Sequence, residues 1–289
     1  LAISYALITG VSSGIGYAAA KHFIANGWKV IATVRTEDDR RRLKETYGSN
    51  LELYIADVTD SATLQSVARD VQKRLSQENS SLDAVICNAG VCYASPLITM
   101  PIEELDRLYR INVRGVLATL QAFFPLLELN AVRRIGQKRV RIILLSSVSG
   151  RFSYPFLGAY AASKYALEAL GDSLRCEMRI YPVDVVLIEP GPIQTPLWEK
   201  VHQEGDASQY VQTPWSESIA RLKKVTQKCE AEGLPASAVA QLIFKVTIKG
   251  RPKARYVIGA SWLTGFFIRY FPTRWVDWVV CTSLGLKRK

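Results

Sequence analysis

Tyr5-Ala6-Leu7-Ile8-Thr9-Gly10-Val11-Ser12-Ser13-Gly14-Ile15-Gly16 is the stretch on which the fold turns. Its first five residues form a nearly continuous apolar run, which reads as a strand covered on both faces. The run Gly14–Asn26 that follows is long enough for a helix. Between them, Gly10, Gly14 and Gly16 permit a tight turn and close approach of the backbone to a ligand. A helix N-terminus adds unpaired N–H groups and a partial positive charge, so the unit suits a diphosphate. A glycine turn alone is a weak signal, and its place after a strand and before a helix strengthens it.

The same alternation repeats outward from this unit. Strand-like runs lie at Tyr5–Thr9, Trp28–Val34, Leu51–Ala56, Ala84–Cys87, Arg141–Ser146, Val183–Glu189 and Ala254–Gly259. Helix-length stretches between them include Ser61–Gln77, Glu103–Leu129 and Gly158–Arg179. Short, β-branched, continuous runs separated by helices predict an α/β fold: a doubly wound, mostly parallel seven-stranded sheet. No linker rich in Pro, Gly or Ser divides the chain and no repeat recurs. One domain over residues 1–260 is expected, with 261–289 as a C-terminal helical extension of it. Pro192–Pro235 has few strand signals and is expected to fold over the top of the sheet. Trp262–Leu286 is rich in aromatic residues and is expected to form two short amphipathic helices.

The 289 residues are 48% hydrophobic and 22% charged, which suits a globular core and argues against global disorder. The cysteines at 87, 92, 176, 229 and 281 form no CxxC pair, and there are two histidines. A disulfide framework or a metal site is not expected, and scattered cysteines fit a reducing compartment. No positively charged region precedes an apolar stretch at the start. A cytoplasmic protein, or one peripheral on an intracellular membrane, is expected rather than a secreted one. The net charge of +11 is spread out, with short clusters at Arg40–Arg42, Arg133–Arg141 and Lys287–Lys289. No nucleic-acid motif accompanies them, so they read as a solubilising surface and no nucleic-acid partner is expected.

Giving a proton to a substrate oxygen requires an acidic group and a second donor that holds that oxygen. Tyr160 and Lys164 are four apart and share one helical face, where an ammonium favours the phenolate. Ser147, thirteen residues earlier, ends a strand and offers a hydroxyl to the substrate oxygen. Ser4, Tyr17 and Lys21 repeat this spacing. Position separates the two sets, because ligands bind outside the carboxyl ends of parallel strands. Ser147 lies at such an end, whereas Ser4 begins its strand.

Gly10-x-x-x-Gly14-x-Gly16, Asn88-Ala89-Gly90, Ser147, Tyr160-x-x-x-Lys164 and Pro190-Gly191 occur in order, and from about residue 3 to 260 the chain resembles the short-chain dehydrogenase/reductase family. The resemblance implies a Rossmann-type sheet and an NAD(P)-dependent enzyme that interconverts C=O and CH–OH groups. It implies that Tyr160 transfers the proton, that Lys164 lowers the tyrosine pKa and binds ribose, and that Ser147 orients the substrate oxygen. Asn112, in Ile111-Asn112-Val113-Arg114-Gly115, matches the family's fourth catalytic residue, which supports a water relay. Implied cofactor contacts are Gly10, Ser12, Ser13, Gly14, Ile15, Gly16, Asp57, Val58, Asn88, Ala89, Gly90, Tyr160, Lys164, Pro190, Gly191, Ile193 and Thr195. A homodimer or homotetramer built on Glu103–Leu129 and Gly158–Arg179 is implied as well.

In NAD enzymes an acid at the end of the second strand holds the ribose hydroxyls and would repel a 2′-phosphate. Here Val34 stands at that place and Arg35 follows, a guanidinium suited to a phosphate dianion. NADP(H) is favoured, and Glu37, Asp38 and Asp39 nearby keep NAD(H) open.

Tyr160–Leu170 and Leu187–Pro192 most resemble hydroxysteroid and retinol dehydrogenases. This implies a lipophilic ketone, aldehyde or alcohol such as a steroid, retinoid or long-chain lipid. Ser147, Ser149 and Tyr160 are the expected substrate contacts. Val148, Phe152, Tyr154, Leu157 and a Pro192–Tyr210 flap are expected to line the pocket. An NAD-dependent dehydrogenase working in the oxidative direction is one alternative, and a non-catalytic NADP(H) sensor or scaffold is another. The aromatic tail, ending in Lys287-Arg288-Lys289, suits a lid, a subunit interface or an interfacial membrane contact.

Overall fold

The computed structural model describes residues 3–133, 139–198, 201, 210–260 and 271–286. Strand β1 (Tyr5–Thr9) leads through the glycine turn into α1 (Gly14–Ala25). There follow β2 (Lys29–Val34), α2 (Glu37–Tyr47), β3 (Leu51–Ile55), α3 (Ser61–Gln77) and β4 (Leu82–Cys87). Next come α4 (Ile102–Tyr109), a π-helical turn at Arg110–Arg114, α5 (Gly115–Arg133), β5 (Val140–Leu145), α6 (Gly158–Glu177) and β6 (Val183–Pro190). The remainder holds a two-residue β7 (Ile193–Gln194), α7 (Ser216–Glu232), a two-residue β8 (Leu234–Pro235), α8 (Ala236–Ile248), β9 (Arg255–Ile258) and α9 (Thr273–Leu284).

The main sheet has seven parallel strands in the order β3-β2-β1-β4-β5-β6-β9. Every residue of β1, β4 and β5 is buried, as central strands with helices on both sides require. Their side chains alternate between two cores. Leu7, Val85 and Ile142 join residues of α3 and α5 on one face. Ile8, Ile86 and Ile143 join residues of α1 and α8 on the other. The register sets Leu7 beside Ile31 and Val85, so the period of two is kept across the sheet. Sequence order reverses between β1 and β4, which opens a crevice outside their carboxyl ends.

Local signals fix the helix starts. Asp60 caps α3 by accepting from the Ala62 and Thr63 amides at 3.0 Å each. Thr36 caps α2 by accepting from the Asp39 amide at 3.2 Å.

The structure departs from the sequence reading in one place and adds to it in another. The stretch expected as one helix over Glu103–Leu129 is broken by the π-turn at Arg110–Arg114. Pro192–Pro235 is more than a covering segment, since it contains the seventeen-residue α7. Of the two C-terminal helices expected, α9 is present; the first would fall largely on residues 261–270, outside the described residues, as do Lys287–Lys289.

Candidate active site

The glycine turn sits at the crevice. Gly10 adopts φ +70°, a left-handed conformation that favours glycine. Gly16 packs so closely that a β-carbon there would collide with the Gly10 carbonyl and the Asn88 amide. Asn88 pins the loop to β4: its Nδ2 donates to the carbonyls of Thr9 at 2.9 Å and Gly10 at 3.0 Å. In return the Asn88 and Ala89 backbone amides donate to Thr9 Oγ1 at 3.0 and 3.1 Å. Ser13 stands at the N-cap of α1 but makes no side-chain cap bond, and no acid occupies the first turn. The helix therefore presents its positive end to the crevice, as an anion site requires.

Arg35, exposed at the end of β2, lines the same cavity. Glu37 is engaged by Arg40 at 2.7 Å and Asp39 by Arg42 at 2.9 Å. None of Glu37, Asp38 and Asp39 lines the cavity. Arg42 also donates to the Ser12 carbonyl at 2.8 Å, bracing the loop from α2. Sequence reasoning missed this brace because it assigned the Arg40–Arg42 cluster to solvent.

Ser147 follows β5. Its Oγ accepts from the Ser149 amide at 3.1 Å and donates to the Pro190 carbonyl at 3.4 Å. Tyr160 and Lys164 project from the first turns of α6. Lys164 Nζ donates to the Leu145 carbonyl at 2.8 Å and lies 5.9 Å from the centre of the Tyr160 ring. Burial lowers the Lys164 amine to about 8, against the opposing pull of Cys92 and Glu168. Burial raises the Tyr160 phenol above its ordinary value and Cys92 adds to this, while a hydrogen bond with Ser147 works the other way. The expected lowering of the Tyr160 pKa by Lys164 is thus not seen here. The ammonium is committed to Leu145, and desolvation of the half-buried phenol dominates.

The Lys164 shift carries a stability consequence. An amine that falls from an ordinary 10.5 to about 8 on folding costs native stability below pH 8, and this cost disappears as pH rises towards 10.5. The cost is roughly 3 kcal/mol, less about 1 kcal/mol for the hydrogen bond to Leu145. Without cofactor, Lys164→Met is expected to melt higher than wild type at pH 7. It should also lose the rise in stability between pH 8 and 10.5. Thermal melts across that range check this, and an unchanged slope would place the titrating group elsewhere.

Asn112 is fully buried in the π-turn. Its Oδ1 accepts from the Val91 amide at 2.9 Å; its Nδ2 donates to the Val91 carbonyl at 2.9 Å and to Ser163 Oγ at 3.0 Å. Asn112 Oδ1 and Lys164 Nζ both face Gly90, 3.3 and 3.7 Å from where a β-carbon on that residue would sit. The side chain thus ties the segment after β4 to α6 beside Lys164.

One cavity of about 450 Å³ joins these parts. The cofactor contacts expected from the sequence line it, from Gly10, Ser12, Ser13, Gly14 and Ile15 through Asp57, Val58 and Asn88–Gly90 to Pro190, Gly191, Ile193 and Thr195. Gly16 does not, because its close packing against Gly10 and Asn88 places it behind the loop. Asn112 does not either, being enclosed by Val91 and Ser163. Ser147, Ser149, Tyr160 and Lys164 line it beside Val148, Phe152, Tyr154 and Leu157. Leu197 and Trp198 of the flap close this end, with Leu222, Val225 and Thr226 of α7, which the sequence did not single out.

A charged network behind Lys164 was also missed. Glu189, at 1% exposure, meets Arg151 at 2.8 Å and Arg255 at 3.4 Å, and Arg255 bonds Glu168 at 3.0 Å. Burial raises the Glu189 carboxyl. The legible signal was Glu168 at four residues past Lys164 on the face of Tyr160. Among the described residues no cluster of three or more His, Cys, Asp or Glu side chains forms a metal site. No described helix is long and apolar enough to cross a membrane.

A family model described as short chain dehydrogenase matches residues 4–206. The NADPH-dependent 3-dehydrocapnine reductase of Ornithobacterium rhinotracheale is 36% identical over 274 residues, covering 94% of this chain and 94% of that protein. A probable short-chain type dehydrogenase/reductase of Helicobacter pylori is 32% identical over 285 residues, covering 98% of this chain and 99% of its own. A solved short chain dehydrogenase/reductase from Burkholderia phymatum, in complex with NAD, matches with a TM-score of 0.78 at 23% identity over 93% of each chain. At that identity the likeness speaks for the fold.

Proposed function

The chain belongs to the short chain dehydrogenase family, an oxidoreductase family, and on that premise we propose that it uses NADP(H) to interconvert a lipophilic ketone or aldehyde with its alcohol. The observation that carries this reading is one cavity at the strand-order reversal, lined by Arg35 and the glycine loop at one end and by Ser147, Tyr160 and Lys164 at the other.

The residues fit the cofactor. The uncapped start of α1 and the loop glycines suit a diphosphate, and the Arg35 guanidinium suits a 2′-phosphate. With Glu37 and Asp39 engaged by arginines, and Asp38 outside the cavity as they are, no acid following β2 favours the NAD(H) alternative. The relative that is NADPH-dependent by name supports the same choice and the reductive direction. NADP(H), when bound, supplies the hydride for reduction or takes it up in the reverse reaction.

The chain supplies the proton and the geometry. Ser147 Oγ, whose bond to Pro190 is long, turns to hold the substrate oxygen beside the Tyr160 hydroxyl. Tyr160 then protonates the developing alkoxide. Lys164, held by the Leu145 carbonyl with its ammonium 5.9 Å from the Tyr160 ring centre, would take up the phenolate's charge once the substrate and cofactor complete the site, and Asn112 fixes the backbone around it. A sensor or scaffold would have no need of this set, and all of it is present. Val148, Phe152, Tyr154, Leu157, Leu197 and Trp198 give the substrate end its apolar character.

Absorbance loss of NADPH and NADH with a panel of lipophilic ketones tests the reading. Turnover with NADPH well above that with NADH is expected. Faster turnover with NADH, or with small polar ketones only, would overturn it. We propose a homodimer or homotetramer on the α4, α5 and α6 faces, where Tyr109, Leu117 and Tyr165 are exposed. Light scattering that finds only the monomer would reject that assembly.

A further inference from the structure

A turn of chain and a helix meet behind the cavity. Ser147 opens the turn Val148–Gly150, and Arg151 closes it, its amide donating to the Val148 carbonyl at 3.0 Å. The turn seats directly on α6: a β-carbon on Gly150 would stand 2.9 Å from Glu168 Cγ and 3.2 Å from the Lys164 carbonyl. Tyr160, Lys164 and Glu168 follow one another at four-residue steps on that helix, so they share one face.

Glu189 lies where both meet the end of β6. Its carboxylate takes the Arg151 guanidinium at 2.8 Å and that of Arg255, on β9, at 3.4 Å. Arg255 passes on to Glu168 at 3.0 Å and to Asp172, both on α6. The residues either side of Glu189 grip the start of the turn: the Ile188 carbonyl accepts from the Ser146 amide at 2.8 Å and the Pro190 carbonyl from Ser147 Oγ. Glu189 itself grips the end of the turn through Arg151. None of Arg151, Glu168, Glu189 and Arg255 lines the cavity, so the network acts on the reaction only through the residues it holds.

Burying a carboxylate is costly, and apolar side chains of the same volume would hold a strand to a helix at least as well. What a guanidinium–carboxylate pair adds is direction, because its donors are fixed in a planar fork. Direction matters here, since Ser147 and Tyr160 must converge on one substrate oxygen and a misplacement of about 1 Å can cost a hundredfold in rate. We propose that Glu189 is a positioning residue: it holds the Ser147 turn through Arg151, and the Tyr160–Lys164 face of α6 through Arg255 and Glu168, so that the two hydroxyls meet on one oxygen. The effect on rate rests on the roles given to Ser147 and Tyr160 above; the positioning stands on the ion pairs and on the packing of Gly150.

The test is a double-mutant cycle in the full chain: Glu189→Gln, Arg151→Gln and both together, assayed with NADPH and the fastest ketone of the panel. Each single variant is expected to lose about tenfold in kcat with the KM for NADPH unchanged, and the double variant to lose no more than either single one. Arg151→Lys, which keeps the charge, should recover most of the rate. The Arg151 side chain is 40% exposed, so its variants should fold even where Glu189→Gln does not. A pair with only a structural role would lower the melting temperature and leave kcat per folded molecule at the wild-type value, and that result would overturn the proposal. So would losses that add in the double variant. Hydrogen exchange of the Ser149 and Gly150 amides, both bonded to Ser147, needs no substrate. It should quicken about tenfold in Arg151→Gln while the amides of β1 and β4 keep their rates. Equal exchange in the two proteins would overturn the proposal. Absence of ketone reduction by wild type would instead overturn the reaction assigned above, and the exchange result would still decide the positioning.

Discussion

Tyr160→Phe is expected to lower NADPH-dependent ketone reduction by about three orders of magnitude, with kcat and kcat/KM falling together. The variant keeps the ring that packs against the cluster of Cys92, Leu157 and Val201, so the fold and the cavity wall should survive. Only the hydroxyl that delivers the proton is lost. NADPH affinity should change little, since the phosphate loop and Arg35 are untouched. Stopped-flow reduction with direct NADPH titration checks both halves. Unchanged turnover would move the proton donor to another group; lost NADPH binding would make Tyr160 chiefly a cofactor contact.

Arg35→Ser is expected to raise the KM for NADPH about thirtyfold and to leave that for NADH nearly unchanged. Arg35 lines the cavity at the end of β2, where buried Val34 offers no acid to a ribose. Removing the guanidinium therefore removes the 2′-phosphate partner without creating a ribose partner. Steady-state kinetics with the two cofactors reads this directly. Equal losses for both would mean that Arg35 acts on the shared diphosphate. Loss for neither would leave Arg42, which braces Ser12, as the next guanidinium to test.

Much of this was legible in the sequence because strands and glycine turns leave local marks. The strand runs were visible since parallel strands buried on both faces must be nearly all apolar, as Val140–Leu145 and Leu82–Cys87 are. Gly10 and Gly16 marked the turn because one needs a left-handed φ and the other has no room for a β-carbon. Ser147, Tyr160 and Lys164 were legible through spacing plus position, and the structure brings them to one cavity.

What escaped depended on tertiary contacts. The π-turn at Arg110–Arg114 has no periodic signature, since the apolar pattern runs on from α4 into α5. Within it Asn112 bonds Val91 and Ser163 from other segments. The Glu189–Arg255–Glu168 network joins β6, β9 and α6, which are far apart in sequence. The burial that raises the Tyr160 pKa was hidden for a related reason. Spacing on a helix shows that Lys164 is near, but not that its ammonium is held by Leu145 while burial governs the phenol.

The most direct test of the central claim is transfer of the label from NADPH deuterated at both C4 positions to the alcohol formed from a lipophilic ketone, read by mass spectrometry in wild type and Tyr160→Phe. The account predicts one deuterium on the carbinol carbon with wild type and almost no alcohol with the variant. Alcohol formed without label, or formed equally by the variant, would contradict it.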